Sequence, residues 1–115
     1  MGKSAEVRFV EAAIRHGELR SGADANRAHD KLIKTYHELR ATPDQGRAYF
    51  SSLLTNPNPS VACWAASFVL WFDEPAARAT LTKVADSEER LIGFSAEMTL
   101  KEWDAGRLRQ PEDWA

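Results

Sequence analysis

The sequence predicts an all-α protein of about six helices arranged in stacked antiparallel hairpins. Apolar residues recur at intervals of three and four positions, as on the buried faces of helices, and almost nothing alternates like a strand. Capping residues and early prolines mark several helix starts. The chain also aligns with itself at a shift of 31 residues, which is expected when one helical hairpin follows another.

The first helix is predicted from about Ser4, an N-cap, to His16, with Gly17 as its end. Its apolar stripe contains Val7, Val10 and Ile14, with Phe9 and Ala13 beside it. The second helix is predicted to follow the Ser21-Gly22 break and to end near Arg40. Its expected buried residues are Ala28, Leu32, Tyr36 and Leu39.

The third helix has a strong start signal, in which Thr42 caps, Pro43 occupies the first turn and Gln45 reaches back to the cap. It is predicted to end near Leu54, because the prolines of the turn 56–60 disfavour helical geometry. The fourth helix, 61–72, is apolar on every side and is predicted to be the centre of the core. Five of its residues are expected to be buried together: Val61, Ala65, Phe68, Val69 and Phe72.

The fifth helix is predicted to begin with the cap Asp73 and to end near Ala85. Its inward residues are expected to be Ala77, Leu81 and Val84. The sixth helix is predicted to be capped by Ser87 and to stop at Gly106, which suits a left-handed residue after a helix. Its packed stripe is predicted to contain Ile92, Ala96, Thr99 and Trp103.

The 115 residues are expected to form a single domain with a buried core and no second catalytic domain. Within it we expect an N-terminal helix pair (1–41), two hairpins (42–73 and 74–106) and a tail (107–115) without secondary structure. The lone cysteine, Cys63, cannot form an intramolecular disulfide, and no signal peptide or membrane span is evident. The predicted location is therefore the cytoplasm.

The repeat pairs residues of the same character along two hairpins. It matches Phe50 with Leu81, Val61 with Ile92, Ala65 with Ala96, Val69 with Leu100, Phe72 with Trp103 and Asp73 with Asp104. Over about 43–105, the pattern of Leu53-Leu54, a proline-bearing turn, Val61, Ala65-Ala66 and Val69-Leu70 resembles HEAT and armadillo proteins. The resemblance implies an α–α superhelix that binds other proteins. Ala62 and Gly93 stand where those repeats commonly carry an arginine.

The whole chain also resembles a small bacterial family of single-domain proteins without an assigned function. The residues that carry this resemblance are Asn26-Arg27, Trp64-Ala65-Ala66, Ala96-Glu97, Leu100, Trp103 and Gly106. The resemblance implies a fold and no particular chemistry.

No group of residues has the spacing of an active site, so the prediction is a protein that is not an enzyme, with no cofactor and no metal. His29 and His37 are about 12 Å apart along a helix, and neither has a second ligand nearby in sequence. Cys63 lies among apolar residues and is expected to be an inert core thiol. The paired acidic residues lie mostly at helix starts, where the helix dipole favours them.

The predicted function is the binding of another protein, as an adaptor, a regulatory subunit or, by analogy of fold, an immunity-type protein. Leu91, Phe94 and Met98 share a sector of helix 6 that no following hairpin covers. Either the tail folds back over them through Leu108 and Trp114, or a second chain does, including a copy of the same protein. The predicted partner-binding residues are therefore Leu91, Phe94, Met98 and Trp114.

The alternative function is nucleic-acid binding through Arg27, Lys31 and Lys34, the basic residues of the second helix. The chain has a net charge of −2, and acidic residues occur near this strip at Asp24, Asp30 and Glu38. Because the charges balance, we expect a solvated face, and nucleic acid is the less favoured partner. A membrane partner is not expected.

Overall fold

The computed structural model describes residues 4–18, 22–87 and 90–108, except the side chains at 17–18, 22–25, 43 and 90. These residues form six α-helices and one short 3-10 turn, with no strand in the described ranges. The helices are α1 (Ala5–Glu18), α2 (Gly22–Arg40), α3 (Pro43–Ser52), α4 (Pro59–Val69), α5 (Glu74–Ala85) and α6 (Arg90–Asp104). The all-α prediction is confirmed.

Helix α1 begins as predicted, because the Ser4 hydroxyl accepts a hydrogen bond from the Val7 amide at 3.3 Å. It continues through Gly17 to Glu18, so the predicted end at His16 is wrong. The core face is centred on Phe9 and Ala13, both fully buried. Val7 is 45% exposed, and the predicted stripe is therefore rotated from the true one.

Helix α2 ends at Arg40 as predicted, and Ala28, Leu32 and Tyr36 are buried. A turn follows, in which the Thr42 amide donates to the carbonyl of Leu39 at 3.4 Å. The predicted cap by the Thr42 side chain is wrong, since that side chain makes no cap hydrogen bond. Because its backbone belongs to the turn that ends α2, Thr42 has a ψ of 82°, well short of an extended cap.

Helix α4 is the centre of the core. The Asn58 side chain caps it by accepting hydrogen bonds from the amides of Ser60 and Val61. Every residue from 60 to 69 is buried except Trp64, which is partly exposed.

The predicted burial of Phe72 is wrong. Helix α4 ends at Val69, and the amides of Phe72 and Asp73 both donate to the Val69 carbonyl. This tight turn brings Phe72 to the surface, 38% exposed, where the Arg47 guanidinium lies 5.7 Å from its ring centroid.

Helix α5 begins at the predicted cap, where the Asp73 carboxylate accepts a hydrogen bond from the Ala76 amide. Its residues Ala77, Leu81 and Val84 are buried as predicted. Helix α6 is followed by Gly106 with a φ of 72°, the left-handed conformation that glycine was predicted to supply. The predicted cap at Ser87 depends on residues 88–89, which lie outside the described ranges, and the Ser87 hydroxyl donates to the Val84 carbonyl.

Some positions 31 residues apart have matching environments, whereas Ile92 and Leu100 are only partly buried at the positions equivalent to the buried Val61 and Val69. Phe50 and Leu81 are both buried, and Ala65 and Ala96 are both completely buried. The match is weaker at the surface, where Arg78 pairs with Asp104 at 2.6 Å. The equivalent Arg47 lies over the Phe72 ring. Among the described helices, none has both the length and the apolar character needed to cross a bilayer.

Candidate functional site

Two of the four predicted partner-binding residues are prominent on the surface of α6. Leu91 is 70% exposed and Phe94, one turn further along, is 62% exposed. Met98 is partly buried, and Trp114 lies outside the described residues. We call Leu91, Phe94 and Met98 the α6 strip.

A groove runs beside the α6 strip, with a volume of about 420 Å³. Its lining residues come from α1, α2, α4 and α6, and from Leu108 after α6. We call it the histidine groove, and it is lined by His16, His29, Ser60, Cys63, Trp64, Ser67, Leu91, Ile92, Ser95, Thr99 and Leu108. Leu91 belongs to both surfaces, so the strip and the groove form one continuous area.

Three aromatic rings from different helices meet in the histidine groove. The ring centroids of His16 and His29 lie 5.3 and 5.6 Å from that of Trp64, and 6.3 Å from each other. Burial, and secondarily the charge of His29, lower the pKa of His16. The imidazole of His16 is therefore biased toward its neutral form.

Sequence spacing did not reveal this cluster. His16 and His29 are thirteen positions apart and only the antiparallel packing of α1 on α2 brings them together. Sequence analysis considered only His29 with His37 and rejected that pair as too far apart for a metal site; His37 is exposed and does not line the groove. Within residues 4–18, 22–87 and 90–108, no three His, Cys, Asp or Glu side chains are placed to hold a metal ion.

Two hydroxyls of the groove make hydrogen bonds within their own helices, and its one thiol is buried. The hydroxyl of Ser67 donates to the Cys63 carbonyl at 2.9 Å, and that of Thr99 donates to the Ser95 carbonyl at 2.9 Å. Cys63 is buried, and burial raises the pKa of its thiol to about 11. A thiol with that pKa is almost entirely protonated near neutral pH and is a poor nucleophile.

The beginning of the tail closes one end of the histidine groove. The amides of Arg107 and Leu108 both donate to the Glu102 carbonyl, and the Arg107 guanidinium pairs with the Glu102 carboxylate at 3.1 Å. These contacts direct Leu108 onto the core, where it is partly buried. Leu91 and Phe94 remain exposed, so the described start of the tail does not cover the α6 strip as the tail was predicted to do, and the residues after Leu108 lie outside the described ranges.

A second groove lies between α1 and α2, with a volume of about 560 Å³. We call it the basic groove, and its lining residues are Arg8, Glu11, Ala12, Arg15, Arg27, Ala28, Lys31, Lys34 and Thr35. Sequence analysis identified the three basic residues of α2. It missed Arg8 and Arg15, because only the pairing of the two helices brings them into the same groove.

Comparison with known proteins gives one match. A family model described as a domain of unknown function (DUF2019) matches residues 9–104. No curated protein and no solved structure matches the chain.

Proposed function

This chain belongs to the DUF2019 family of domains of unknown function, and from its surface we propose that it is a non-enzymatic module that binds another protein. The binding surface is the α6 strip together with the adjoining histidine groove. The observation that carries the proposal is the exposure of Leu91 and Phe94, at 70% and 62%.

Exposed apolar side chains of this size favour association. Covering a leucine or a phenylalanine stabilises a complex by about 1.5 to 3 kcal/mol each, relative to leaving it in water. Two such residues one turn apart, beside a groove that contains Trp64, make a contiguous apolar area. Tryptophan is also among the residues enriched at the centres of protein interfaces.

The non-enzymatic part of the proposal is supported by the chemistry of the groove. Its Ser67 and Thr99 hydroxyls donate to backbone carbonyls of their own helices. The high pKa of Cys63 leaves little thiolate to attack a substrate. A hydrolase or transferase would need an activated nucleophile beside a base.

The pairs that are buried in both halves, Phe50 with Leu81 and Ala65 with Ala96, support a HEAT-like or armadillo-like arrangement, which we include in the proposal. Helical repeats of this type present extended surfaces, and the α6 strip lies on the last helix of the series. A cytoplasmic location is part of the same proposal. The buried free thiol of Cys63 supports it, because reducing compartments preserve such groups.

The decisive experiment compares the wild-type protein with Leu91→Ser/Phe94→Ser as baits on a support, with captured proteins identified by mass spectrometry. Both side chains are exposed, so the variant should retain the wild-type circular dichroism spectrum and melting temperature. We expect at least one stoichiometric partner of the wild type to be lost. Light scattering of the same two proteins shows whether that partner is a second copy of the chain.

The matched control is Val7→Ser, which also removes an exposed apolar side chain but lies on α1. It should retain the partner. Equal capture by the wild type and the double variant would overturn the proposal, as would equal loss with Val7→Ser.

A further inference from the structure

The basic groove concentrates positive charge in a protein that is negative overall. Five basic side chains and one carboxylate, Glu11, line it, whereas the whole chain has a net charge of −2. A third of the 15 lysines and arginines therefore lie along one groove. Such a local field attracts anionic partners even when the net charge does not.

The cations lie along both walls. On α2, Arg27, Lys31 and Lys34 follow one another at intervals of about 6 and 4.5 Å along the helix axis. On α1, Arg8 and Arg15 are about 10.5 Å apart. The Arg8 guanidinium lies 2.8 Å from the Glu38 carboxylate of α2, so Arg8 lies toward the Lys34 end of the groove.

Of the acidic residues that balanced this strip in the sequence, Glu38 and Asp30 have described side chains, and Asp24 does not. Glu38 is paired with Arg8 at the end of the groove, and Asp30 is exposed but does not line it. Lys31 and Lys34 are exposed, and no ion pair engages either within the described residues. The two lysines are therefore solvated, as the sequence predicted, but no described carboxylate pairs with them.

The rest of the groove lining is small. Ala12, Ala28 and Thr35 accompany the charged residues, and none of the described aromatic side chains lines the groove. A protein partner would find no apolar anchor there, since the centres of protein interfaces are rich in aromatic residues and poor in lysine. Nucleobases would find no stacking platform. Phosphate oxygens, by contrast, require only cationic donors and room to approach.

We propose that the basic groove binds the phosphodiester backbone of a nucleic acid without reading its bases. Lys31 and Lys34 supply mobile point charges, and the Arg15 guanidinium is a planar donor suited to phosphate oxygens, whereas Arg8 is already paired with Glu38. This site shares no residue with the α6 strip or the histidine groove. The two proposals are therefore independent, and an experiment that disproves one leaves the other unaffected.

The test measures fluorescence anisotropy of labelled oligonucleotides of mixed sequence, single-stranded and duplex, about 20 nucleotides long, between about 50 and 200 mM salt. For the intact chain we expect micromolar affinity at low salt, with little dependence on sequence. The logarithm of the binding constant should fall linearly with the logarithm of salt concentration, because bound phosphates release counterions. Lys31→Ala/Lys34→Ala should reduce the magnitude of that slope by about 2 and weaken binding roughly tenfold or more.

The matched control is Lys83→Ala/Lys101→Ala, which removes two exposed lysines from α5 and α6 and causes the same change in net charge. This variant should bind like the wild type. The proposal fails if the wild type does not bind at low salt or if the two double variants lose affinity equally. It also fails if polyglutamate competes as well as an unlabelled oligonucleotide, since the groove would then select any acidic chain.

Discussion

The rings of Tyr36 and Phe68 stack with their centroids 4.4 Å apart, and this contact joins α2 to α4. Phe68 also lies 5.8 Å from Phe9 on α1 and 5.1 Å from Phe50 on α3. One buried side chain thus contacts aromatic residues from three other helices. The side of the core formed by α1, α2, α3 and α4 is organised around it.

Replacing Phe68 with Ala should destabilise the fold by about 3 to 5 kcal/mol, because the surrounding rings cannot collapse fully into the space. Chemical denaturation followed by circular dichroism measures the loss. Phe72→Ala is the matched control, since Phe72 is exposed and its described ring contact is with Arg47. It should cost about 1 kcal/mol or less. Equal losses for the two variants would contradict this description of the core.

Gly46→Ala should destabilise the protein, although alanine is the better helix former by about 1 kcal/mol. A Cβ at this position would lie 2.6 Å from the backbone oxygen of Leu39, so α3 would have to move away from the end of α2. The overpacking costs about 1 to 3 kcal/mol and outweighs the gain in propensity. The midpoint of urea denaturation should fall.

Gly93→Ala provides the comparison, because its nearest contact would be 3.2 Å, with the Ala85 carbonyl oxygen. Its stability should lie above that of Gly46→Ala. A Gly46→Ala protein as stable as the wild type would show that α3 does not pack as closely on α2 as described.

Trp71→Phe should change the stability by no more than about 1 kcal/mol, despite the smaller side chain. The indole nitrogen of Trp71 is buried and has no acceptor among the described residues, which costs about 1 to 3 kcal/mol. Phenylalanine removes that donor and keeps a ring to contact Trp103, whose centroid is 4.9 Å away. Trp71→Ala, which removes the ring as well, should cost at least about 3 kcal/mol in thermal or chemical denaturation. A loss well above about 1 kcal/mol in Trp71→Phe would contradict the prediction, since removal of the unsatisfied donor would then fail to offset the smaller ring.

Stability should decrease as the pH falls through about 6.5, the ordinary pKa of histidine. Burial and the neighbouring His29 lower the pKa of His16 in the folded protein. At pH values between the folded and unfolded pKa of His16, the unfolded chain binds more protons than the folded one, so acidification favours unfolding. Above the unfolded pKa the histidine is neutral in both states and stability no longer depends on its protonation. Melting temperatures measured from pH 7.5 to 5.5 should show the decline.

The decline should be smaller in His16→Gln and unchanged in His37→Gln, which alters an exposed histidine outside the histidine groove. A His16→Gln protein with the same dependence on pH as the wild type would mean that other groups cause it.

Sequence patterns were most informative where a helix is apolar over a long stretch or has a local cap. The predicted centrality of α4 and the cap at Asp73 follow from residues close together in the chain. The error at Phe72 arose because the apolar run continues from the last turn of α4 into the tight turn that follows. Hydrophobicity alone therefore does not show where the helix ends. Threonine is a residue type that often caps helices. At Thr42, however, the turn after α2 gives the backbone dihedral angles that do not suit a side-chain cap.

The candidate surfaces could be predicted only in part, because some of their residues come together only when different helices pack. Leu91 and Phe94 follow from the angular spacing of one helix and are exposed as the strip requires. The cluster of His16, His29 and Trp64, and the alignment of Arg8 and Arg15 with the cations of α2, depend on how different helices pack. Spacing within a single helix contains no information about such contacts.

The buried thiol of Cys63 makes the natural chain a suitable background for site-specific labelling. With a pKa of about 11, roughly one thiol in a thousand is ionised at pH 8, and the sulfur is also shielded by the core. A maleimide dye should therefore react selectively with cysteines introduced at exposed positions such as Lys34 and Phe94. The separation of the basic groove from the α6 strip could then be followed by energy transfer without first removing the native cysteine.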